Sequence, residues 1–323
     1  MELRPDPEFR RSSQRLMPTA ARGRSNAYEV FPEFELAGAD FAVGFPELAA
    51  ALIRAADGGP TQVLDGVAAV CWEDLVARLG AEWEAAGVAV EWLDARERMK
   101  PEAELELLLA PFLGGDDPLF GRRCELPLAA FFRPEALVAE QPSGSAAPPR
   151  SAGRSSGQAS EQSAGQAEPL RVWFGPGASL LAPPGTPRYF LEVAKNEEQF
   201  RARAGSVRNL GAAASGPPKQ MYKRAYFVDW PVLKRHKAGL LAGLAGYVDL
   251  QDPGAPVLLD GATLRRALEE LSRRPFRPRP WFEPGPWGGQ WLQPRVSDSC
   301  QSEAPNLAWS FELIAPENGV VLS

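Results

Sequence analysis

Thr61-Gln62-Val63-Leu64-Asp65-Gly66-Val67-Ala68-Ala69-Val70 is the stretch that decides the fold, because it ends one predicted strand and leads into a helix. Residues 61–64 form a short apolar run, which is typical of a buried strand. Beyond the turn, apolar residues recur at helical spacing until Gly87, and residues 88–93 predict a second strand. Strand, helix and strand in this order predict a βαβ unit, and therefore a parallel sheet with a helix on its face. The apolar residues at helical spacing between the turn and Gly87 are Trp72, Leu75, Val76, Leu79 and Trp83.

The α/β pattern continues on both sides of this unit. Helical spacing predicts helices over residues 45–56, 101–109 and 196–204, and Asp260 is placed to cap a further helix. Residues 28–41, 171–174, 189–193 and 225–229 predict strands. We therefore expect one α/β domain over residues 28–274, interrupted at 141–169 by a disordered insertion rich in Ser, Gly, Ala, Pro and Gln. The apolar faces are Leu48, Leu52 and Ala56 in the first of these helices, and Leu264, Leu268 and Leu271 in the last.

The two ends of the chain differ from this domain in composition. Residues 1–27 are polar and rich in arginine, which predicts a disordered arm. Residues 275–323 are rich in proline, tryptophan and glycine, and residues 308–314 alternate as a strand does, so a separate β unit is expected to start there. Its tryptophans could stack on a sugar, but packing within an aromatic-rich β unit is the favoured interpretation. They are Trp281, Trp287, Trp291 and Trp309.

Composition narrows the class of protein. The chain has 323 residues, which suggests two domains, and a net charge of −6 that argues against nucleic acid or an anionic membrane as the main partner. There is no apolar run long enough to span a bilayer and no secretory signal, so a cytoplasmic protein is expected. The three cysteines are too widely spaced for a metal knuckle: Cys71, Cys124 and Cys300.

The sequence contains one histidine, His236. Histidine is the commonest metal ligand and the usual acid–base group near neutral pH. A multi-histidine metal site is therefore excluded, and no catalytic or metal-binding residue is predicted. His236 lies in the basic run Lys234-Arg235-His236-Lys237, which favours a surface position over a role as ligand or base.

The turn at Asp65-Gly66 lies between a strand and a helix, where nucleotide-binding α/β proteins hold phosphate. A working phosphate loop needs the pattern GxxxxGK[ST], and here the lysine is missing. An ordinary strand-to-helix turn is the favoured interpretation, with a degenerate phosphate loop at Asp65 and Gly66 as the alternative.

A second candidate is the basic segment that follows the strand at 189–193. Lys195, Arg201, Arg203 and Arg208 have the character of a lid that clamps phosphates. Because Glu197 and Glu198 lie between them, a solvated charged helix is the alternative. The ligand predicted for this segment is a sugar phosphate or a nucleotide.

Two acidic positions complete the candidates. Gly114-Gly115-Asp116-Asp117 offers adjacent carboxylates that could hold Mg²⁺, although a turn capped by aspartates is more common. Asp229 ends a predicted strand, where α/β enzymes place polar groups, yet Asp229-Trp230-Pro231 could equally begin a helix.

Three longer stretches resemble bacterial proteins named class I mannose-6-phosphate isomerase, in the long variant that carries a kinase-like α/β region ahead of a cupin. The resemblance covers residues 28–323 except the insertion, and it is densest from Lys195 onward. Pro286-Trp287-Gly288-Gly289 is similar to the opening signature of the isomerase module. The three stretches that carry the resemblance to these isomerases are residues 195–206, 219–233 and 279–291.

The resemblance implies isomerisation of mannose 6-phosphate to fructose 6-phosphate at a zinc ion held by a jelly-roll cupin. No residue of this chain matches the zinc ligands of the family, which lie further downstream. We therefore expect the N-terminal part of such a protein, with a cupin cut short at Ser323 and no isomerase activity of its own. A truncated gene, a split gene with a separately encoded cupin, and a fragment all remain open.

The earlier part of the chain resembles a P-loop-kinase-like domain of the uridine-kinase sort. The residues that carry this likeness are Asp65-Gly66, the loop at 113–121 and Phe174-Gly175-Pro176-Gly177-Ala178. The resemblance implies a parallel sheet with flanking helices and binding of ATP with Mg²⁺. The missing phosphate-loop lysine favours a degenerate module that binds nucleotide or sugar phosphate and regulates a cupin.

Overall fold

The computed structural model describes residues 39–55, 61–115, 117, 120–138, 169–273, 277–280 and 311–314. The strands are β1 (Phe41–Val43), β2 (Thr61–Gly66), β3 (Val90–Asp94), β4 (Leu170–Phe174), β5 (Arg188–Glu192), β6 (Gly246–Asp249), β7 (Val257–Asp260), β8 (Arg277–Pro280) and β9 (Phe311–Ile314). The helices are α1 (Phe45–Ala55), α2 (Trp72–Ala85), α3 (Glu102–Leu113), α4 (Pro134–Val138), α5 (Lys195–Arg203), α6 (Pro218–Arg224), α7 (Trp230–Leu240) and α8 (Gly261–Ser272).

Seven strands form one mixed sheet in the order β1-β7-β6-β5-β2-β4-β3. Five of them, β3, β4, β2, β5 and β6, are parallel, while β7 runs antiparallel to both of its neighbours. The predicted parallel sheet with flanking helices is therefore confirmed for its main body. The βαβ unit is also present, but β4 lies between β2 and β3, so the two strands of the unit are not neighbours. Strands β6 and β7 have no counterpart in the predicted elements.

The core lies where α1 and α2 cover the sheet. Leu48, Leu52 and Leu79 are fully buried, as their helical spacing predicts. Trp83 stacks on Trp92 of β3 with ring centroids 5.2 Å apart, and its Nε1 donates to the carbonyl of Ala49 at 3.2 Å. The indole therefore contributes apolar area without leaving its one donor unpaired.

The side chain of Asp260 caps α8, as predicted, by accepting from the backbone N–H groups of Ala262 and Thr263.

The predicted strand at 225–229 is wrong. Ala225–Asp229 is a π-helical segment that joins α6 to α7 in one helical run. Ala225 and Val228 are buried, and their separation of three residues is that of one helix face. In the sequence alone, a run this short also fits the two-residue period of a strand, so it was predicted as a strand. Pro231 has no N–H for the carbonyl of Phe227, and that carbonyl instead accepts from the backbone N–H of Cys124 at 2.7 Å. A contact from another part of the chain thus preserves the helix.

Beyond α8, β8 and β9 form an antiparallel pair separate from the main sheet. The strand predicted over residues 308–314 is present as β9 at 311–314, and apart from β8 the rest of the expected β unit lies outside the described residues. So do the predicted arm at 1–27 and the insertion at 141–168. Within the described ranges, no helix is long and apolar enough to cross a membrane.

Candidate functional site

The turn after β2 is built around the carboxylate of Asp65, which is fully buried. Its oxygens accept from the backbone N–H groups of Gly66, Gly177 and Ser179 at 2.7, 2.8 and 3.0 Å. Burial by itself raises the pKa of Asp65, but the hydrogen bond from His236 and the backbone donors outweigh it, so the pKa is lowered. Asp65 is therefore an ionised acceptor that joins β2 to the turn after β4.

His236 is not the surface residue that its basic neighbours predict. Its side chain is 6% exposed, and its Nε2 lies 2.7 Å from Oδ2 of Asp65. Because an ionised carboxylate only accepts hydrogen bonds, Nε2 is the protonated nitrogen of this contact. The sequence carried no signal for the pair, since 171 positions separate its members.

Gly66 lies against the end of β5. A Cβ at Gly66 would come 2.5 Å from the carbonyl oxygen of Leu191, and that oxygen accepts from the backbone N–H of Val67 at 3.1 Å. The turn is thus held tightly against the neighbouring strand. Counting from Gly66 along the pattern GxxxxGK[ST], Cys71, Trp72 and Glu73 stand where a phosphate loop has glycine, lysine and serine or threonine.

Arg201 points into the protein. Its guanidinium is fully buried and donates to the carbonyl oxygens of Ala69, Leu250 and Gln251 at 2.6–3.1 Å. Glu197, one helical turn earlier, accepts from its Nε at 3.3 Å. These contacts join α5 to the turn after β2 and to the end of β6, which is a structural role.

The other three predicted basic residues reach the surface, and of these Arg203 and Arg208 lie beside the same cavity. Lys195 lies over the ring of Trp230, with Nζ 5.3 Å from the ring centroid, and partial burial and the charge of Lys234 lower its pKa. Arg203 is exposed and packs on Phe200. Arg208, in the loop after α5, pairs with Glu73 at 3.3 Å.

Two neighbouring cavities open beside this loop, and residues 207–209 line both of them. The first cavity, of about 530 Å³, lies beyond the carboxyl ends of β2, β3 and β4. Its walls come from the turn before α2, the segment after β3, Pro176 and residues 205–215. Ligands of open α/β sheets bind at this edge. The cavity has a mixed charge, with the cations Arg96, Lys100 and Arg208 and the acids Glu73, Asp94, Glu97 and Glu102.

The second cavity, of about 1050 Å³, lies between α5 and the helical run of α6 and α7. Tyr222, Tyr226 and Trp230 follow one another at four-residue spacing, and their rings meet with centroids 5.8–6.3 Å apart. Both tyrosines are more than two-fifths exposed. Four cationic side chains also line this cavity: Arg203, Arg208, Lys219 and Lys223.

Among the described residues, one carboxyl group lines the second cavity. Glu198 is 8% exposed and accepts from Nε1 of Trp230 at 2.7 Å. Burial and the negative charge of Asp229 raise the pKa of Glu198 from 4.5 to about 8, against the hydrogen bond from Trp230. Glu198 is therefore largely a neutral acid at pH 7, and the cavity keeps its cationic character.

The two acidic candidates that the structure describes, Asp229 and Asp117, accept hydrogen bonds from other parts of the protein, which indicates a structural role. Asp229 is buried inside the helical run and accepts from Asn209 Nδ2 at 2.6 Å and from the backbone of Leu210. Gly114 ends α3 in the left-handed region at φ +66°, and Asp117 accepts from the backbone N–H of Phe120. Asp116 lies outside the described residues. Among the side chains that are described, no group of three or more His, Cys, Asp or Glu is placed to hold a metal ion.

Comparison with known proteins gives one match. The family model described as a domain of unknown function, DUF8485, matches residues 44–273. This range begins just before α1 and ends just after α8, so it contains the whole seven-stranded sheet apart from β1. No curated protein and no solved structure matches the chain.

Proposed function

We propose that this chain, which belongs to the DUF8485 family, is a kinase-like module that binds a phosphorylated sugar or a nucleotide without transferring phosphate. The second cavity is the site that we assign to this ligand. The observation that carries the proposal is the combination of a cationic rim with exposed aromatic rings around that cavity.

The rim supplies the anion-binding part of the site. Arg203, Arg208, Lys219 and Lys223 line a cavity in which the one acid that the structure describes, Glu198, is largely uncharged at neutral pH. The chain as a whole carries a net charge of −6, so this concentration of cations runs against its average. Guanidinium and ammonium groups around one cavity favour a phosphate over a neutral ligand.

The aromatic rings supply the part that would contact the ring of the ligand. Tyr222 and Tyr226 are 43% and 46% exposed, although a soluble domain normally buries most of such area. Either the apolar face of a hexose or a nucleobase would stack on these rings, with the phosphate directed to the rim. A sugar phosphate and a nucleotide share this chemistry.

The turn after β2 argues for binding without phosphotransfer. Trp72 and Glu73 occupy the positions at which a phosphate loop has its lysine and its magnesium-binding hydroxyl. The sheet itself, in which β2 is central among five parallel strands, is compatible with the P-loop-kinase-like fold that the sequence resembles. We therefore interpret the domain as a degenerate relative of a kinase.

The setting that we propose for this module is a mannose-6-phosphate isomerase-like protein. The support is the sequence resemblance from Lys195 onward, together with the antiparallel pair of β8 and β9 after the α/β domain. The zinc chemistry would belong to a cupin whose histidine ligands this chain does not supply. We expect no conversion of mannose 6-phosphate with zinc added to this chain, and conversion when a histidine-bearing cupin from a mannose-6-phosphate isomerase is supplied with it.

Isothermal titration tests the binding proposal. Mannose 6-phosphate, fructose 6-phosphate, AMP and ATP are compared with mannose and with inorganic phosphate. We expect one phosphorylated ring compound to bind at least tenfold more tightly than either mannose or phosphate. Arg203→Ala and Lys219→Ala should each weaken it about fivefold to tenfold, because each removes one charge-assisted contact.

Arg98→Ala is the matched control, since Arg98 is exposed and lines neither cavity. If the control weakens binding as much as Arg203→Ala does, or if no phosphorylated compound binds, the proposal is wrong. Saturable consumption of ATP in the presence of Mg²⁺ and a hexose would replace it with active phosphotransfer.

A further inference from the structure

Glu73 is held by two arginines that come from different parts of the chain. Its Oε1 lies 2.8 Å from Nη1 of Arg96, in the segment after β3, and 3.3 Å from Nη2 of Arg208, in the loop after α5. Both arginines line the first cavity, as Glu73 does. A carboxylate oxygen thus lies between two guanidinium groups at the edge of the sheet where α/β proteins bind anions.

Both arginines are also held by contacts that do not involve Glu73. Arg96 donates to both oxygens of Asp94 at 2.7–3.1 Å and packs over the ring of Phe174, 5.6 Å from its centroid. Arg208 donates through Nη1 to the backbone carbonyl of Ala213 at 3.0 Å. Their arrangement would therefore persist if the carboxylate of Glu73 were withdrawn.

Glu73 itself is loosely anchored. Its side chain is 71% exposed, against 20% for Arg96 and 40% for Arg208. Exposed ion pairs of this kind contribute about 1 kcal/mol or less to stability, so the carboxylate can swing into solvent at little cost.

One wall of the first cavity contains a buried indole N–H. Trp72 is 2% exposed and lines the cavity, and its Nε1 has no hydrogen-bond partner among the described residues. A buried indole N–H normally has an acceptor. This N–H is itself covered by protein atoms, so it is an unpaired donor in the wall of the site and not a contact of the proposed ligand.

We propose that the first cavity is a second anion site, in which the carboxylate of Glu73 is a built-in occupant that a phosphate group displaces. Arg96 and Arg208 are the residues that bind the incoming oxygens. Among the described residues that line this cavity, three are cations (Arg96, Lys100 and Arg208) and four are acids (Glu73, Asp94, Glu97 and Glu102). The ionised Glu73 therefore both fills the space between the two arginines and gives the cavity one negative charge more than it has positive charges, which disfavours phosphate. Without the charge on Glu73, the remaining cations and acids balance.

The test compares the affinity of the full chain for inorganic phosphate in the wild type, Glu73→Gln and Glu97→Gln. The second variant removes the same charge from the same cavity but leaves the Glu73 contacts intact. We expect Glu73→Gln to bind phosphate about fivefold to tenfold more tightly, because the variant loses the two exposed ion pairs that compete with phosphate for Arg96 and Arg208. Glu97→Gln should change the affinity less than twofold.

Arg208→Ala, alone and combined with Glu73→Gln, completes the test. The arginine variant should weaken phosphate binding, and the double variant should lose the gain. Equal affinities of wild type and Glu73→Gln, or an equal gain in Glu97→Gln, would overturn the proposal. The gain should persist in an Arg203→Ala background, so a failure of ligand binding in the second cavity would not be confused with a failure here.

Discussion

Nε2 of His236 lies 2.7 Å from Oδ2 of Asp65, and this contact fastens α7 to the carboxyl end of the central strand β2. The same carboxylate accepts from Gly177 and Ser179 after β4. One buried side chain therefore sets the relative positions of β2, α7 and the turn after β4. Asp65, which its position in the sequence makes a candidate phosphate-loop residue, therefore anchors the edge of the sheet beside the cavities.

Asp65→Asn is expected to lower the free energy of unfolding by about 3–5 kcal/mol. The groups around the buried Asp65 carboxylate are N–H donors, and the NH₂ group of an asparagine would face them with a further donor in place of an acceptor. Urea denaturation measures the loss, and Asp40→Asn, at an exposed position, should change stability by less than about 0.5 kcal/mol. Since the pKa of Asp65 is lowered in the folded state, its contribution is fully present above about pH 4 and is lost as the pH falls further. A steep acid limb that survives in Asp65→Asn would count against this account.

Gly66→Ala tests the close approach of the turn to β5. The new Cβ would lie 2.5 Å from a backbone oxygen, which cannot move as the end of a side chain can, so we expect a loss of about 2–4 kcal/mol. Gly239→Ala, in α7, meets no atom within 4 Å and should stabilise the helix by about 0.5–1 kcal/mol. The prediction fails if thermal unfolding ranks the two variants in the opposite order.

Glu198 should make stability depend on pH in the neutral range. Its pKa of about 8 in the folded protein exceeds the ordinary 4.5, so unfolding between these values releases a proton and stability falls as the pH rises. Above about pH 8 this effect is complete. Glu198→Gln should flatten the profile, measured by urea denaturation from pH 5 to 9. The neighbouring acid Asp229, whose pKa burial also raises, remains in Glu198→Gln, so the profile should become flatter but keep the part that Asp229 contributes.

Tyr226→Ala separates ligand binding from folding. The ring is 46% exposed, so unfolding free energy should change by less than about 1 kcal/mol, while affinity for the phosphorylated ligand should fall about fivefold to tenfold. Tyr226→Phe keeps the ring and should keep the affinity within a factor of two. If the phenylalanine variant loses as much as the alanine variant, the hydroxyl and not the ring makes the contact.

Local patterns in the sequence predicted most of the central α/β architecture. The spacing of Leu48, Leu52 and Leu79 identified the faces of α1 and α2, and the apolar run at 61–64 identified β2. Both signals depend on periodicity within about a dozen residues, which a single sequence contains. Residues 225–229 were wrongly predicted as a strand for the same reason, because five residues fit the period of a strand and that of a helix almost equally well.

The candidate site depended on contacts that no local pattern contains. The basic residues Arg201, Arg203 and Arg208 are close in sequence, yet the first is buried in structural contacts and only the other two reach the second cavity. Tyr222, Tyr226 and Trp230 form one aromatic surface only because residues 218–240 are helical throughout, including the π segment.

The sequence by itself determined the α/β class, the order of the elements from α1 to α5 apart from the short α4, and the absence of a phosphate-loop lysine, because these follow from composition, spacing and residue identity. Only the tertiary structure decided that His236 pairs with Asp65, that Arg96 and Arg208 converge on Glu73, and which arginine faces solvent. These relationships join residues that are 23 to 171 positions apart. They arise when parallel strands bring their carboxyl ends to one edge, so they depend on the register of the whole sheet.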